Sequence, residues 1–589
     1  MRLISFLFTL FVGLNLSAQL IPNNRKTDWS VAGIKDTNTS NFIQFNMALN
    51  GLFGDGITPN DAAFTNFLSQ HNGENLTLFF PAGNYLFQQT IAIPSNTLLK
   101  GEGASLTKFI VQHANSGHGI TIHGQSLADT SYLVQNHQLN DSIIVVHNPT
   151  LFQEGDWIQL IQNDAQFITS SWAANTVGQI IQIESINGNN ILLKSKLRLN
   201  YDTQYTPYIK KINPVENCGI ECISIERMDN TAPEQASNIH FSYAVNCWVA
   251  GIESKNTTFA HLEAEFSSNL AVNRCYFHDA FGYGDGGRAY GVMLHFTTNE
   301  CLIEDNIFKH LRHSMILQAG ANCNVFAYNY SEEPYWTEVN PLLPSNSSGD
   351  MVLHGNYPYL NLFEQNIGQN IVIDNSHGAN GPFNTFFRNR AASFGVFFSD
   401  ATSPSQNIIA TEIPNTSFPY SVVNYTISGI NHLLIGNNNK GTIVPAGTQN
   451  ISESSLIYTQ NPPFVQPAYY ATIGAPHPMN SSSNPAENRF NSNSIFSTSC
   501  GQSDLSLIQK STISKLFPNP TNETFTIEVK SQIEKITIFN SLGQLIYSND
   551  KPSLIEQINT SLWPSGIYSV KLLNQNGEVI TIKLIKSNN

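Results

Sequence analysis

Residues 301–389 hold four near-copies of one unit: CLIEDN (301–306), NVFAYN (324–329), NLFEQN (361–366) and NTFFRN (384–389). Weaker copies precede them, CWVAGI at 247–252 and LAVNRC at 270–275. The units end at Ile252, Cys275, Asn306, Asn329, Asn366 and Asn389, so their spacings are 23, 31, 23, 37 and 23. A period in the twenties marks a solenoid, in which each coil buries its core only by stacking on its neighbours. Three residues before each endpoint stands an apolar side chain: Val249, Val272, Ile303, Phe326, Phe363 and Phe386. The endpoint is Asn in four consecutive coils. Stacked Asn side chains can hydrogen-bond one another along a solenoid axis and satisfy a tight turn. The pattern predicts a solenoid of stacked coils.

Working outward, the composition agrees. Charged residues make up 12% and apolar ones 41% of 589 residues, which suits strands and polar turns better than surface helices. A formal net charge of −14 argues against nucleic acid as a partner. Arg2, the apolar run Leu3–Leu16 and the small residues before Gln19 read as a signal peptide over 1–18. No later run is long and apolar enough to span a bilayer, so the mature chain is expected to have no membrane span. Of seven cysteines, Cys247, Cys275, Cys301 and Cys323 fall in the repeat and read as small core residues. Cys218 and Cys222 have metal-like spacing without a second pair, which argues against zinc.

Residues 19–132 read as an N-terminal cap and the first coils. Residues 133–212 read as an inserted antiparallel β subdomain, with a hairpin at Asn187-Gly188-Asn189-Asn190. The repeating core spans 213–474, and 475–512, rich in Asn, Ser and Pro, reads as a linker. Residues 513–589 show five short strand runs separated by turns, a small β-sandwich pattern.

Two stretches resemble known families. Phe53-Gly54-Asp55-Gly56-Ile57-Thr58-Pro59-Asn60-Asp61, then Pro81-Ala82-Gly83-Asn84-Tyr85, then Gly101-Glu102-Gly103 is similar to the opening coils of the pectate-lyase-like superfamily. That resemblance implies an all-β fold, a right-handed parallel β-helix capped by an early helix. It implies little chemistry, because one such fold hosts many functions. Leu516-Phe517-Pro518-Asn519-Pro520, Asn540-Ser541-Leu542-Gly543-Gln544, Pro564-Ser565-Gly566-Ile567-Tyr568 and the Lys-containing last strand resemble the type A C-terminal sorting domain of the type IX secretion system. This implies handling by that secretion machinery in a Bacteroidetes-type bacterium, and a secreted or outer-surface location.

The two long spacings locate a candidate site. Extra residues fall at 280–290 and 331–349, after the same position in their coils, so both should project from one corner. Between them the uninserted coil offers His310, Arg312 and His313. A polar column is expected through His295, Gln318, His354 and His377. Asp350 and Asp374 precede the two His-Gly steps, and Arg388 and Arg390 flank the last Asn. Tyr335 and Trp336 are either a sugar platform or the insertion's own core.

These residues suit three functions. A polysaccharide lyase acting on a uronic-acid glycan needs a cation for the carboxylate, a base and an acid. Arg312, Arg388 or Arg390 would be the cation, His313, His354 or His377 the base, and Tyr335 the acid. A glycoside hydrolase needs paired carboxyls, for which Asp350 and Asp374 are the best pair. A non-catalytic glycan-binding or adhesin-like protein would use the column only to satisfy turns. His and Arg content favours the lyase. The expected partner is a polysaccharide, the expected state a monomer, and no cofactor is assigned. A calcium requirement stays open with no ligands assigned, because the Asp cluster of pectate lyases is not evident.

Overall fold

The computed structural model describes residues 20–587 apart from 35–36, 38, 114–116, 231–234, 285, 338–347, 399–401, 416–424, 496–512, 530–532, 541–543 and 575–578. The expected signal segment 1–18 lies outside the described residues. The chain divides into two compact units, Met1–Phe496 and Ser497–Asn589.

The first unit is a right-handed parallel β-helix with three faces. The first face stacks twelve parallel strands, among them Leu76–Phe80, Trp248–Ala250, Leu302–Glu304, Val325–Ala327, Leu362–Glu364 and Thr385–Phe387. The six-residue repeat is this face plus its corner. Val249, Val272, Ile303, Phe326, Phe363 and Phe386 lie in register and point inward. Phe326, Phe363 and Phe386 stack at 5.2 and 4.8 Å. Each fully buried Phe contributes about 2 kcal/mol of burial. The second face includes Glu253–Lys255, Tyr276–His278, Ile307–Lys309 and Tyr330–Glu332. The third face includes Ile239–Ser242, Ala260–Glu265, Tyr290–His295, His313–Leu317 and Met351–Leu353.

The corners explain the repeat. The residue before each endpoint is left-handed: Arg274, Asp305, Tyr328, Gln365 and Arg388 all have φ of 55–58°. That conformation costs an ordinary residue about 1–2 kcal/mol. Asn side chains stabilise the bend. Asn329 Oδ1 accepts from the Asn306 backbone N–H and side-chain amide, and Asn366 and Asn389 repeat this one coil on, with distances of 2.9–3.0 Å. A second ladder, Asn324, Asn361 and Asn384, does the same where the chain re-enters the first face.

An amphipathic helix, Asp61–Gln70, buries Phe64 and Phe67 against the first coils. Gly83 is needed nearby, since a Cβ there would lie 3.0 Å from Gly54 Cα and O. Between the third-face strand Ile120–His123 and the first-face strand Gly219–Glu221 the chain leaves the solenoid to form a six-stranded antiparallel sheet from Gln125–Tyr132 to Tyr208–Asn213, with Gly188–Asn189 turning its hairpin. This sheet packs back on the solenoid. Gln159 bonds Thr297, Ile180 N–H bonds Asn299, and Arg198 pairs with Glu300.

One expectation is corrected. Residues 475–495 are not a linker: Asn484 donates to Asn329 O and Gln365 O, and a short helix, Pro485–Asn491, pairs Arg489 with Asp305. Polar composition there serves hydrogen bonds to solenoid corners. Cys222 is disulfide-bonded, whereas Cys218, Cys247, Cys275, Cys301 and Cys323 are free and buried.

The second unit is a β-sandwich. A three-stranded sheet (Ile513–Phe517, Thr524–Val529, Ile555–Asn559) faces a four-stranded one (Leu545–Asn549, Ile533–Asn540, Gly566–Asn574, Val579–Lys586). Trp563 packs on Tyr568 at 4.9 Å beside the sandwich core and is no exposed platform.

Candidate functional site

Third-face strands end in a polar side chain just before a left-handed turn. The register runs Glu265 to His295, then through paired Leu294–Leu317, Leu317–Leu353 and Leu353–Ile373 to Gln318, His354 and Asp374. The turn residues that follow, Phe266, Phe296, Ala319 and Gly355, have φ of 47, 44, 46 and 80°. The column expected from spacing is therefore corrected at its last rung. Asp374 takes the place next to His354, because the following turn is three residues longer and carries His377 out of register.

His377 nonetheless stays close. Its ring is 4.9 Å from that of His354, edge-on, and 5.3 Å from Trp172 of the inserted subdomain. The glycines of the His-Gly steps serve the turns. Gly378 (φ +81°) lies against Thr169, where a Cβ would approach Oγ1 to 2.4 Å.

His354 Nδ1 lies 2.8 Å from Asp374 Oδ2, and the other carboxylate oxygen accepts from Ser376 N–H at 2.9 Å. Burial alone would raise the Asp374 carboxyl; His354 and Ser376 outweigh it and hold it well below the usual range. The ionised carboxylate accepts from Nδ1–H, which leaves the lone pair of His354 on Nε2. Gln318 Nε2 donates to His354 O at 3.0 Å. Burial also lowers His377. His313 lies 5.6 Å from His354 ring to ring; burial, with Arg312 beside it, pushes it down to about 3, and its Nδ1 is 3.0 Å from Gly349 O. Arg312 lies over Trp336 at 5.3 Å, and its Nε and Nη1 are buried without a hydrogen-bond partner among the described residues.

Both insertions leave the corner between the second and third faces, following Tyr276–His278 and Tyr330–Glu332. There His310 stacks on Tyr335 at 4.5 Å, and Tyr283 closes on both at 4.9 Å. Tyr335 thus packs in the insertion's own aromatic cluster.

Other expected residues are elsewhere. Arg388 is 2% exposed and donates to Ile473 O, Ala475 O and Glu453 O; Arg390 pairs with Glu412 at 2.8 Å and donates to Ser482 O. Both are clamps on the chain's return path. Asp350 is fully buried, accepting from Ser331 Oγ and the N–H groups of Gln369 and Asn370, and burial raises it to about 6. The register sets it opposite residue 370, so Asp350 and Asp374 are four positions apart along the face, about 13 Å. That exceeds the reach of paired glycosidase carboxyls.

The sequence reading missed a second cluster upstream on the same surface. His240 Nε2 lies 3.8 Å from both Glu263 Oε1 and Glu265 Oε1, and His295 Nε2 lies 3.1 Å from Glu263 Oε1. It also missed an aromatic row beside the column: Tyr243 stacks on Phe266 (4.9 Å), Phe266 on Phe296 (5.6 Å), and Trp172, 47% exposed, meets Phe296 at 5.9 Å.

With that geometry in view, a family model described as rhamnogalacturonase A/epimerase, pectate lyase-like, matches residues 44–282, and one described as secretion system C-terminal sorting domain matches 515–587. Residues 44–282 of the β-helix are pectate-lyase-like, and the chain carries a secretion sorting tail. The tail marks the pectate-lyase-like protein as secreted or held at the outer cell surface. Among the described residues no helix is long and apolar enough to cross a membrane. No curated protein matches the chain. Distant solved structures include the tailspike of Acinetobacter baumannii bacteriophage AP22 in complex with capsular saccharide (12% identity, 67% of this chain and 70% of that one, TM-score 0.35). An exopolygalacturonase from Thermotoga maritima is similar at 12% identity, over 66% and 83% of the chains, with TM-score 0.34. Neither likeness carries an argument about chemistry.

Proposed function

We propose that this protein is a secreted polysaccharide lyase that cleaves a uronic-acid-containing glycan by β-elimination on its outer third face. The observation that carries the reading is the His354–Asp374 hydrogen bond of 2.8 Å with His377 at its edge. Asp374 orients the imidazole, so His354 Nε2 is the base that removes the proton beside the sugar carboxylate. Arg312, with guanidinium nitrogens not engaged by described residues, neutralises that carboxylate and lowers the cost of the developing anion. The proton that His354 takes is then passed to the leaving glycosidic oxygen as the C–O bond breaks, with the His377 ring 4.9 Å from that of His354 beside it. Trp172 and Phe296 supply apolar faces for sugar rings.

The test is incubation with a panel of uronic-acid polysaccharides, following both ultraviolet absorbance of the unsaturated sugar and new reducing ends. The two signals rise together in elimination. Reducing ends without absorbance mean hydrolysis, and neither signal with retained binding means a glycan-binding surface; each contradicts the proposal.

A further inference from the structure

The cluster upstream of the dyad has the form of a metal site. Its four members come from three consecutive third-face strands: His240 from Ile239–Ser242, Glu263 and Glu265 from Ala260–Glu265, and His295 from Tyr290–His295. The register places Glu263 beside His240, and Glu265 beside His295. Donor atoms converge: His240 Nε2 to Glu263 Oε1 and to Glu265 Oε1 are each 3.8 Å, and His295 Nε2 to Glu263 Oε1 is 3.1 Å. Bonds of 2.0–2.2 Å from a tetrahedral cation to N and O ligands put neighbouring ligand atoms about 3.4 Å apart. Glu263, Glu265 and His295 place donor atoms all within 4.8 Å of one another, and His240 joins them through its approach to the two carboxylates.

A second observation points the same way. His240 is 6% exposed, and its Nε2 has no hydrogen-bond partner among the described residues while lying 3.8 Å from both carboxylates. A buried polar atom left in this state is costly unless something else takes it up. Its other nitrogen, Nδ1, is 2.8 Å from His123 Nε2. With Nδ1–H donating to His123, the lone pair of His240 sits on Nε2, the outer support that metal-bound imidazoles use. The carboxylates are held as well, Glu263 by Ser237 Oγ at 2.6 Å and Glu265 by Ser242 Oγ at 2.9 Å. His118 stacks on His240 at 4.0 Å, but its Nδ1 accepts from Ser237 N–H, so its Nε2 carries the proton and it is no ligand.

We infer that His240, Glu263, Glu265 and His295 form a binding site for one first-row divalent transition-metal ion, for which Zn2+ is the best match. Two imidazoles and two carboxylates suit zinc or manganese; calcium takes oxygen ligands. The site stands independently of the elimination chemistry.

The experiment uses the full untagged chain, stripped with chelator and titrated with Zn2+ alone by calorimetry, with bound metal counted by elemental analysis. The expected result is one equivalent bound, a rise in melting temperature with Zn2+ and none with Ca2+. His240→Ala and Glu263→Gln should each bring the stoichiometry to zero. The partly exposed Glu265→Gln should weaken binding at least tenfold, and it keeps the test decisive if the buried variants fail to fold. Wild type that binds no Zn2+ or Mn2+, or a folded Glu265→Gln with unchanged affinity, overturns the inference.

Discussion

Two stacks of polar side chains climb this solenoid, and they differ in kind. At the corner after the first face, Asn306, Asn329, Asn366 and Asn389 repeat one residue type. The amides of Asn306, Asn329 and Asn366 each bond the next coil's Asn Oδ1 and a backbone carbonyl, Asn389 bonds Phe363 O, and all four are fully buried. On the outer third face, Glu265, His295, Gln318, His354 and Asp374 change type at every rung, and few of their bonds run to the next rung. Repetition with closed hydrogen bonds stabilises a turn. A stack that varies, and leaves a nitrogen such as His354 Nε2 without a hydrogen-bond partner among the described residues, is where a solenoid can act on something else.

The largest effect should come from breaking the variable stack. In Asp374→Asn the new amide donates to His354 Nδ1, which moves the imidazole proton to Nε2 and removes the base. Elimination should fall about 10³-fold, in kcat rather than KM, with the melting temperature preserved. Breaking the repetitive stack should do the reverse. Asn366→Ala leaves the Asn329 N–H and amide without an acceptor and should cost about 3 kcal/mol in denaturant unfolding, with little change in kcat.

Histidines offer a finer contrast. His261 is of the structural kind: Nδ1 bonds Ser254 Oγ at 2.8 Å and Nε2 bonds Asp279 O at 3.0 Å. Burial pushes it down to about 3, so the folded state stays neutral while the unfolded chain protonates below pH 6.5. Its stabilising contribution is complete above that pH and is lost as pH falls toward 3. The stability gap between wild type and His261→Gln should shrink by about 1.4 kcal/mol per pH unit below 6.5. A constant gap would contradict the burial argument. The smallest effect is expected at Trp172→Ala, where loss of one sugar platform should raise KM about fivefold, roughly 1 kcal/mol, at unchanged kcat.

The repetitive stack was legible in the sequence because its information is periodic. One apolar residue and one Asn per coil define the first face and its corner. The second ladder, Asn324, Asn361 and Asn384, opens the same units and was legible too, though only the endpoints were read. The variable stack was legible in part. Spacing brought His295, Gln318 and His354 together, but a turn longer by three residues put Asp374 where His377 was expected. Three features had no local signal. Trp172 arrives from an inserted subdomain remote in sequence. His240, Glu263 and Glu265 lie in coils whose endpoints are not Asn. Arg388 and Arg390 read as free cations until the return path of residues 451–482 supplies their acceptors.

The central claim, that the variable stack is the reactive one, is tested most directly by His354→Ala on a uronic-acid polysaccharide that the wild type degrades. Release of unsaturated product would be followed alongside the melting temperature. The account predicts at least a hundredfold loss of product with a melting temperature within about two degrees of wild type. Full product release from a folded His354→Ala protein would contradict it.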